Sequence, residues 1–301
     1  MCMNKGTFYA IGAYIAWGFL PVFWKALHDV PALEILAHRV VWGLAVAIVL
    51  VTYRIRWQWL GPIVRNKRTL LTFAATALLL SLNWFIYIWA VNAGYIIEAS
   101  LGYFINPLIN VLLGVLFLKE RLRGGQGIAI AIALAGVLYL TTQYGALPWI
   151  ALGLAVSFGF YGLLRKTAQL GSLEGFTLEI LLLFLPALVY LLYRESLGSA
   201  AFGHIGVTTS LLLACAGVVT AGPLLLFAAG ARRITMTSLG ILQYIAPSLQ
   251  LLLGVLVYGE SLSLARLIGF CLIWLALGIY TLEGILYSGS AARLRAAASE
   301  L

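Results

Sequence analysis

Residues 98–122 read EASLGYFINPLINVLLGVLFLKERL, and residues 238–262 read SLGILQYIAPSLQLLLGVLVYGESL. Laid over each other at a spacing of 140 residues, they share nine identities. In a leucine-rich chain Leu and Val agree by accident. The pairs that carry weight are therefore Pro107/Pro247, Gly114/Gly254 and Glu120/Glu260. The same spacing aligns Glu34 with Glu174 and Tyr53-Arg54 with Tyr193-Arg194. One residue more aligns Gly18-Phe19 with Gly159-Phe160 and Lys25 with Lys166. The chain reads as two related halves, 1–144 and 145–301.

Composition says what the halves are made of. Of 301 residues, 63% are hydrophobic and 10% charged, with a mean hydropathy of +1.02. A soluble domain has about 45–50% apolar and about 25% charged residues. A bilayer-spanning helix needs roughly 20 mostly apolar residues. Ten such stretches are visible, at 7–27, 32–53, 69–91, 95–118, 127–143, 149–166, 175–193, 209–231, 235–258 and 265–287. They leave little chain for a soluble catalytic or nucleotide-binding unit. The expected class is an all-α polytopic membrane protein. Five spans per half is odd, so the second half enters the membrane upside down relative to the first. Inverted repeats are a transporter signature, because the two halves can exchange roles around a site between them.

The net charge of +9 would suggest nucleic acid if it lay on a soluble face. Here the basic residues sit between apolar runs, where they set orientation. With the N-terminus cytoplasmic, fifteen Lys and Arg fall on the inner side and three (Lys25, Arg194, Arg266) on the outer, with Arg39 inside a span. That bias expects both termini inside. The segment Arg54–Arg68, with Trp57, Trp59 and several basic residues, reads as an interfacial stretch on the same side. The first span carries Pro21, Trp24 and Lys25 without a small-residue cleavage site, so it reads as a retained helix. Cys2, Cys215 and Cys271 have neither disulfide nor metal-ligand spacing, and His28, His38 and His204 are not clustered. No metal and no cofactor are expected.

Several stretches resemble a known family: EILAHRVVWG (34–43), NWFIYIWAVN (83–92), EASLGYFINPLINVLLG (98–114), LGLAVSFGFYGLLRK (152–166), LGILQYIAPSLQ (239–250) and YGE (258–260). They look like the RarD-type permeases, a branch of the EamA group in the drug/metabolite transporter superfamily. The resemblance covers nearly the whole chain. It implies ten helices as two EamA repeats, a bacterial inner-membrane location and a permease linked to chloramphenicol sensitivity or resistance. It also implies a central cavity lined by the first, third, fourth, sixth, eighth and ninth helices.

Polar groups inside a membrane are costly, so each is a functional candidate. Glu34 and His38 are four apart on one helical face, with Arg39 beside them and Glu98 near the start of the fourth span. They read as an outer gate or proton-coupling group, or as a structural Arg39–Glu98 ion pair. Tyr103, Asn106, Pro107 and Asn110 share one helix face, and Gln243, Pro247 and Gln250 share the equivalent face of the ninth span. Proline frees a backbone carbonyl and bends a helix. Pro21, Pro107, Pro223 and Pro247 are accordingly expected at kinks. Two kinked, amide-bearing helices make a substrate cradle or, alternatively, interhelical glue. Trp17, Asn83, Tyr87, Tyr161 and Tyr244 complete an aromatic pocket suited to a flat amphipathic molecule, such as chloramphenicol or an aromatic amino acid. Gly127, Ala131 and Ala135 form a small-residue stripe for helix packing, within the chain or between subunits.

The expected function is a secondary transporter for a small amphipathic solute, working as a monomer or homodimer in lipid. Protons are the candidate coupling ion, and uptake or exchange is the alternative to export. No G-x-S-x-G, H-E-x-x-H or paired catalytic carboxylate supports an enzyme.

Overall fold

With no water to satisfy backbone N–H and C=O groups, an apolar chain in lipid must form helices. The structure, a computed structural model, describes residues 5–93, 95–144, 148–259 and 263–299. The helices are α1 (Lys5–Lys25), α2 (Ala32–Arg54), α3 (Leu60–Arg65), α4 (Lys67–Asn92), α5 (Ile96–Leu118), α6 (Gly124–Tyr144), α7 (Trp149–Thr167), α8 (Ser172–Ser196), α9 (Val207–Ala231), α10 (Met236–Gln243), α11 (Ile245–Leu256) and α12 (Leu264–Ser299). Among the described residues nine spans are long and apolar enough to cross a bilayer. The tenth is α7, 19 residues ending on Arg165-Lys166-Thr167. The chain is an all-α, multi-pass membrane protein of ten spanning helices in two inverted five-helix repeats. Large apolar side chains such as Leu71, Leu78, Leu185 and Leu256 stay exposed, as lipid-facing residues do.

Two features depart from a count of ten simple spans. The short α3 lies in the basic connection between α2 and α4 and does not cross. The ninth span is broken at Tyr244 into α10 and α11. Pro247 explains the break, since it has no N–H to give the Gln243 carbonyl and its ring crowds that carbonyl. Its repeat mate Pro107 sits within an unbroken α5, as do Pro21 within α1 and Pro223 within α9.

The repeat is written into the packing. Helix starts at residues 32, 67, 96 and 124 recur 140 residues later at 172, 207, 236 and 264. Contacts obey the same exchange. Helix α1 packs on α9 and α11, and its counterpart α7 packs on α4 and α5. Helix α2 packs on α9, and α8 packs on α4. Helices α2 and α8, α5 and α10, and α6 and α12 pair with their own counterparts. Nearly all the substantial packing therefore joins one half to the other.

Gly18 and Gly159 show this at atomic scale. A Cβ on Gly18 would lie 2.8 Å from Leu249 Cβ, and one on Gly159 would lie 2.7 Å from Ile109 Cγ2. Gly159 and Ile109 are the repeat mates of Gly18 and Leu249. Only glycine lets α1 approach α11, and α7 approach α5, this closely.

Helix α6 meets α12 through Ala133, Val137 and Gly136, which abuts Leu272. Ala131 and Ala135 point away from this contact and are exposed, so the expected small-residue stripe is not the packing face within the chain. The periodicity of three to four marked a face correctly but could not say which side of it the partner occupies.

Candidate substrate cavity

Between the halves lies a cavity of about 340 Å³. Its walls come from α1, α2, α4, α5, α7, α9, α10 and α11. The lining residues lie toward the end of the bundle away from the chain termini. They include Tyr14, Trp17, Pro21, Trp24, Arg39, Asn83, Trp84, Tyr87, Tyr103, Asn106, Phe158, Gln243, Pro247 and Gln250. The volume suits a drug-sized molecule, and the walls are aromatic with a few directional polar groups.

Neighbouring helices hold the polar groups in place. Asn83 Nδ2 donates to Leu154 O (2.9 Å) and Ser157 Oγ (3.0 Å). That leaves its Oδ1 uncommitted among the described residues. Asn106 Nδ2 donates to Ala155 O (3.0 Å), and Gln250 Nε2 to Trp17 O (3.2 Å). Arg39 donates from Nε to Thr220 Oγ1 (2.9 Å), and its guanidinium lies 4.4 Å from the Trp84 ring and 5.0 Å from the Trp24 ring. Two indole faces thus hold the cation at the cavity wall.

Toward the termini the cavity is plugged by rings. Phe227 lies 5.5 Å from Trp17, 5.2 Å from Phe158 and 6.1 Å from Tyr161, on which it stacks. Beyond the plug, backbone carbonyls and cations staple the helix ends. Lys166 Nζ donates to Ala231 O (3.0 Å) and Ile234 O, and Arg232 Nη1 to Ala168 O (2.8 Å) and Leu170 O. Glu120 receives Met236 N (2.6 Å) and Thr237 N (2.9 Å), capping α10 beside the N-cap Thr235. An anion at a helix N-terminus is favourable. On the termini side the path is closed.

Seven of the ten residues expected to contact substrate reach this cavity: Trp17, Asn83, Tyr87, Tyr103, Asn106, Gln243 and Gln250. Three do not. Asn110 is fully buried, donating to Asn106 Oδ1 (3.1 Å) and Gln243 Oε1 (2.8 Å). Tyr244 is buried with its hydroxyl on Phe104 O (3.2 Å). Tyr161 is buried below the plug, with its hydroxyl 3.4 Å from Glu179 Oε2. Asn110 shares the polar face of Asn106 but lies one turn deeper, and Tyr244, one residue from Gln243, points about 100° away from it.

The coupling group also separates. One residue is about 100° of helix turn, so Glu34 and His38 point away from Arg39. Glu34 accepts from Ala201 N (2.5 Å) and pairs with Arg194 (3.4 Å). His38 lies 5.2 Å from the Phe202 ring, with neither ring nitrogen hydrogen-bonded among the described residues. Both face the α8–α9 connection rather than the cavity. The Glu98 side chain, and with it the expected Arg39–Glu98 pair, lies outside the described residues, as do Glu260 and Cys2.

Sequence reasoning missed Trp84 and Phe158 as cavity walls, and it missed a buried Arg165–Glu179 pair (3.7 Å). Arg165 had been read only as one of the basic residues that set orientation.

Ten spanning helices in inverted halves, packed around a cavity that both halves line, define a membrane transport protein. Comparison with known proteins agrees. Residues 4–142 match the EamA-like transporter family. "Protein RarD" of Streptomyces exfoliatus is 46% identical over 296 residues, covering 98% of this chain and 94% of that one. The uncharacterized transporter YojE of Bacillus subtilis is 47% identical over 286 residues, covering 94% and 95%. A "Chloramphenicol-sensitive protein RarD" of Pseudomonas aeruginosa is 35% identical over 277 residues, covering 91% and 92%. A solved crystal structure shares the fold, with a TM-score of 0.68 at 23% identity over 92% of this chain and 96% of that one. The chain belongs to the EamA-like transporter family, in its RarD-type branch, among permeases rather than enzymes.

Proposed function

We propose that the protein is a secondary transporter that carries a flat, amphipathic organic solute across the bacterial inner membrane by alternating access. The observation that carries this reading is the cavity of about 340 Å³, closed on the termini side and walled by helices of both repeats. A site shared by inverted repeats can face each side in turn when the halves exchange conformations. In this reading residues 1–144 and 145–301 are the exchanging units, and both termini are cytoplasmic. The closed end then faces inward.

The walls support this solute class. Trp17, Trp24, Trp84, Tyr87 and Phe158 supply ring faces, Arg39 a cation, and Asn83, Asn106, Gln243 and Gln250 amides. A planar ring with hydrogen-bonding substituents meets these groups. Chloramphenicol is one such molecule, and the name of the Pseudomonas aeruginosa relative supports trying it first. Aromatic amino acids meet the same description. Export is the direction assigned, with protons as the coupling ion.

The test is flux in proteoliposomes. Labelled chloramphenicol and a mixture of aromatic amino acids are offered with and without a pH gradient, against protein-free vesicles. Saturable flux that an Asn83→Ala variant weakens supports the reading. Gradient dependence supports proton coupling, and its absence assigns exchange or facilitated diffusion. Flux of no tested solute above the vesicle leak would overturn the assignment of solute class.

A further inference from the structure

The repeat spacing can be applied to the cavity wall itself. Position for position, Arg39 maps to Glu179 and Tyr87 to Phe227 at 140 residues, while Trp24 maps to Arg165 and Leu20 to Tyr161 at 141. The first member of each pair lines the open cavity. The second is closed off on the termini side, with Arg165, Glu179, Tyr161 and Phe227 all at or below 1% exposure. The contacts correspond as well. Arg39 lies over the Trp24 ring at 5.0 Å, and Glu179 pairs with Arg165 at 3.7 Å.

We propose that Arg165, Glu179 and Tyr161 are the second face of the solute path: they wall the cavity when the bundle opens at the termini end, as Trp24, Arg39 and Leu20 wall it now. This rests on the alternating-access reading above.

The closed pair is built and incompletely satisfied. Arg165 donates from Nη2 to Ser172 O (3.0 Å) and lies 5.4 Å from the Phe73 ring. A side chain at position 175 would occupy the space of the Arg165 guanidinium, so Gly175 keeps that berth open. Yet Arg165 Nε and Glu179 Oε1 face each other at 3.7 Å, an ion pair beyond hydrogen-bond reach, and Arg165 Nη1 has no hydrogen-bond partner among the described residues. Apolar side chains of similar volume often serve a static bundle as well as such a pair, or better. A half-satisfied pair makes sense where water and solute complete it in another state. The second face also differs in charge from the first. It carries one anion and one cation, where Arg39 is the charged group lining the first among the described residues.

The test uses impermeant thiol reagents on the full chain in proteoliposomes, with Cys2, Cys215 and Cys271 replaced by Ser. Phe227→Cys reports the termini side and Tyr87→Cys the open side. With the pair intact, Tyr87→Cys should react from the open side and Phe227→Cys only from the termini side. Removing one partner, by Glu179→Gln or Arg165→Gln, should raise the Phe227→Cys rate about tenfold and lower the Tyr87→Cys rate. Replacing both by Leu should restore the seal and bring the rate back to the parent value or below. Unchanged rates in both single variants, or reaction of Phe227→Cys from the open side, would overturn the proposal. Where the single variants fail to fold, Phe227→Cys with the pair intact decides. Silence during measurable flux overturns the second face and leaves transport standing, whereas silence with no flux of any solute overturns transport as well.

Discussion

Asn110 Nδ2 donates to Gln243 Oε1 across 2.8 Å, tying α5 to the last residue of α10 directly behind the cavity wall. Asn110 also holds Asn106 Oδ1 at 3.1 Å. It touches no cavity space, yet it orients two amides that do. Asn110→Ala leaves both partners short of a donor, a loss of about 1–3 kcal/mol. The expected outcome is a lower Tm in detergent and a raised KM for flux. A variant with normal KM would show that Asn106 and Gln243 hold themselves.

Asn83 lines the cavity with its amide nitrogen committed and its oxygen without a partner among the described residues. Asn83→Leu removes that acceptor and the tie to α7. We expect KM to rise by about tenfold, the equivalent of one lost hydrogen bond at about 1.4 kcal/mol. Initial-rate flux against solute concentration measures this, and an unchanged KM with a lower kcat would assign Asn83 to packing instead.

Arg39 rests between two indoles, and this makes Arg39→Lys a severe change. A point-charge ammonium cannot stack on Trp24 and Trp84 while reaching Thr220 as the planar guanidinium does. Flux should fall by about 3- to 30-fold, in line with cation–π energies of about 0.5–2 kcal/mol. Wild-type flux in Arg39→Lys would show that only the charge matters.

The break at Tyr244 follows from Pro247 and is removable. Pro247→Ala restores an N–H for the Gln243 carbonyl, so α10 and α11 should fuse. Stability should hold or rise, because proline inside a helix costs about 3 kcal/mol. Turnover should fall, because the hinge beside Gln243 and Gln250 is lost. Tm and kcat moving in opposite directions is the signature; a joint fall would mean that neighbours cannot accept a straight ninth span.

Orientation is tested at two exposed valines. Val64 on α3 and Val207 at the start of α9 lie at opposite ends of the bundle. In whole cells Val207→Cys should react with an impermeant thiol reagent and Val64→Cys only after lysis, as the Lys and Arg bias requires. The reverse pattern would invert the protein.

The spans and their repeat were legible because lipid imposes a single rule on the backbone, and because Pro107/Pro247 and Glu120/Glu260 are rare letters in an apolar text. The basic, tryptophan-bearing connection Arg54–Arg68 was legible too, although the short helix α3 within it was not. Within the site, Trp17, Asn83 and Asn106 line the cavity, and Asn110, Tyr161 and Tyr244 do not. Which turn of a polar face meets a cavity depends on where another helix crosses, and spacing along one helix does not contain that information. The Arg165–Glu179 pair did leave a trace: the same repeat position holds Arg39 in one half and Glu179 in the other. An exchange of charge at equivalent sites was visible in the letters, and its partner Arg165 was hidden by counting it only as a topology signal.

The cross-half packing of α1 bears on how the chain is made. Among the described residues its substantial neighbours are α9, α10 and α11, which begin at Val207 and end at Leu256. At about 5–20 residues per second, the ribosome finishes those neighbours roughly twelve to forty-six seconds after α1 is complete. During that interval α1 must stay in the membrane on its own hydropathy, with Gly6, Gly12 and Gly18 facing lipid where they will later face helices. Assembly is thus a late event for the earliest segment, and insertion factors would have longest to act on this one.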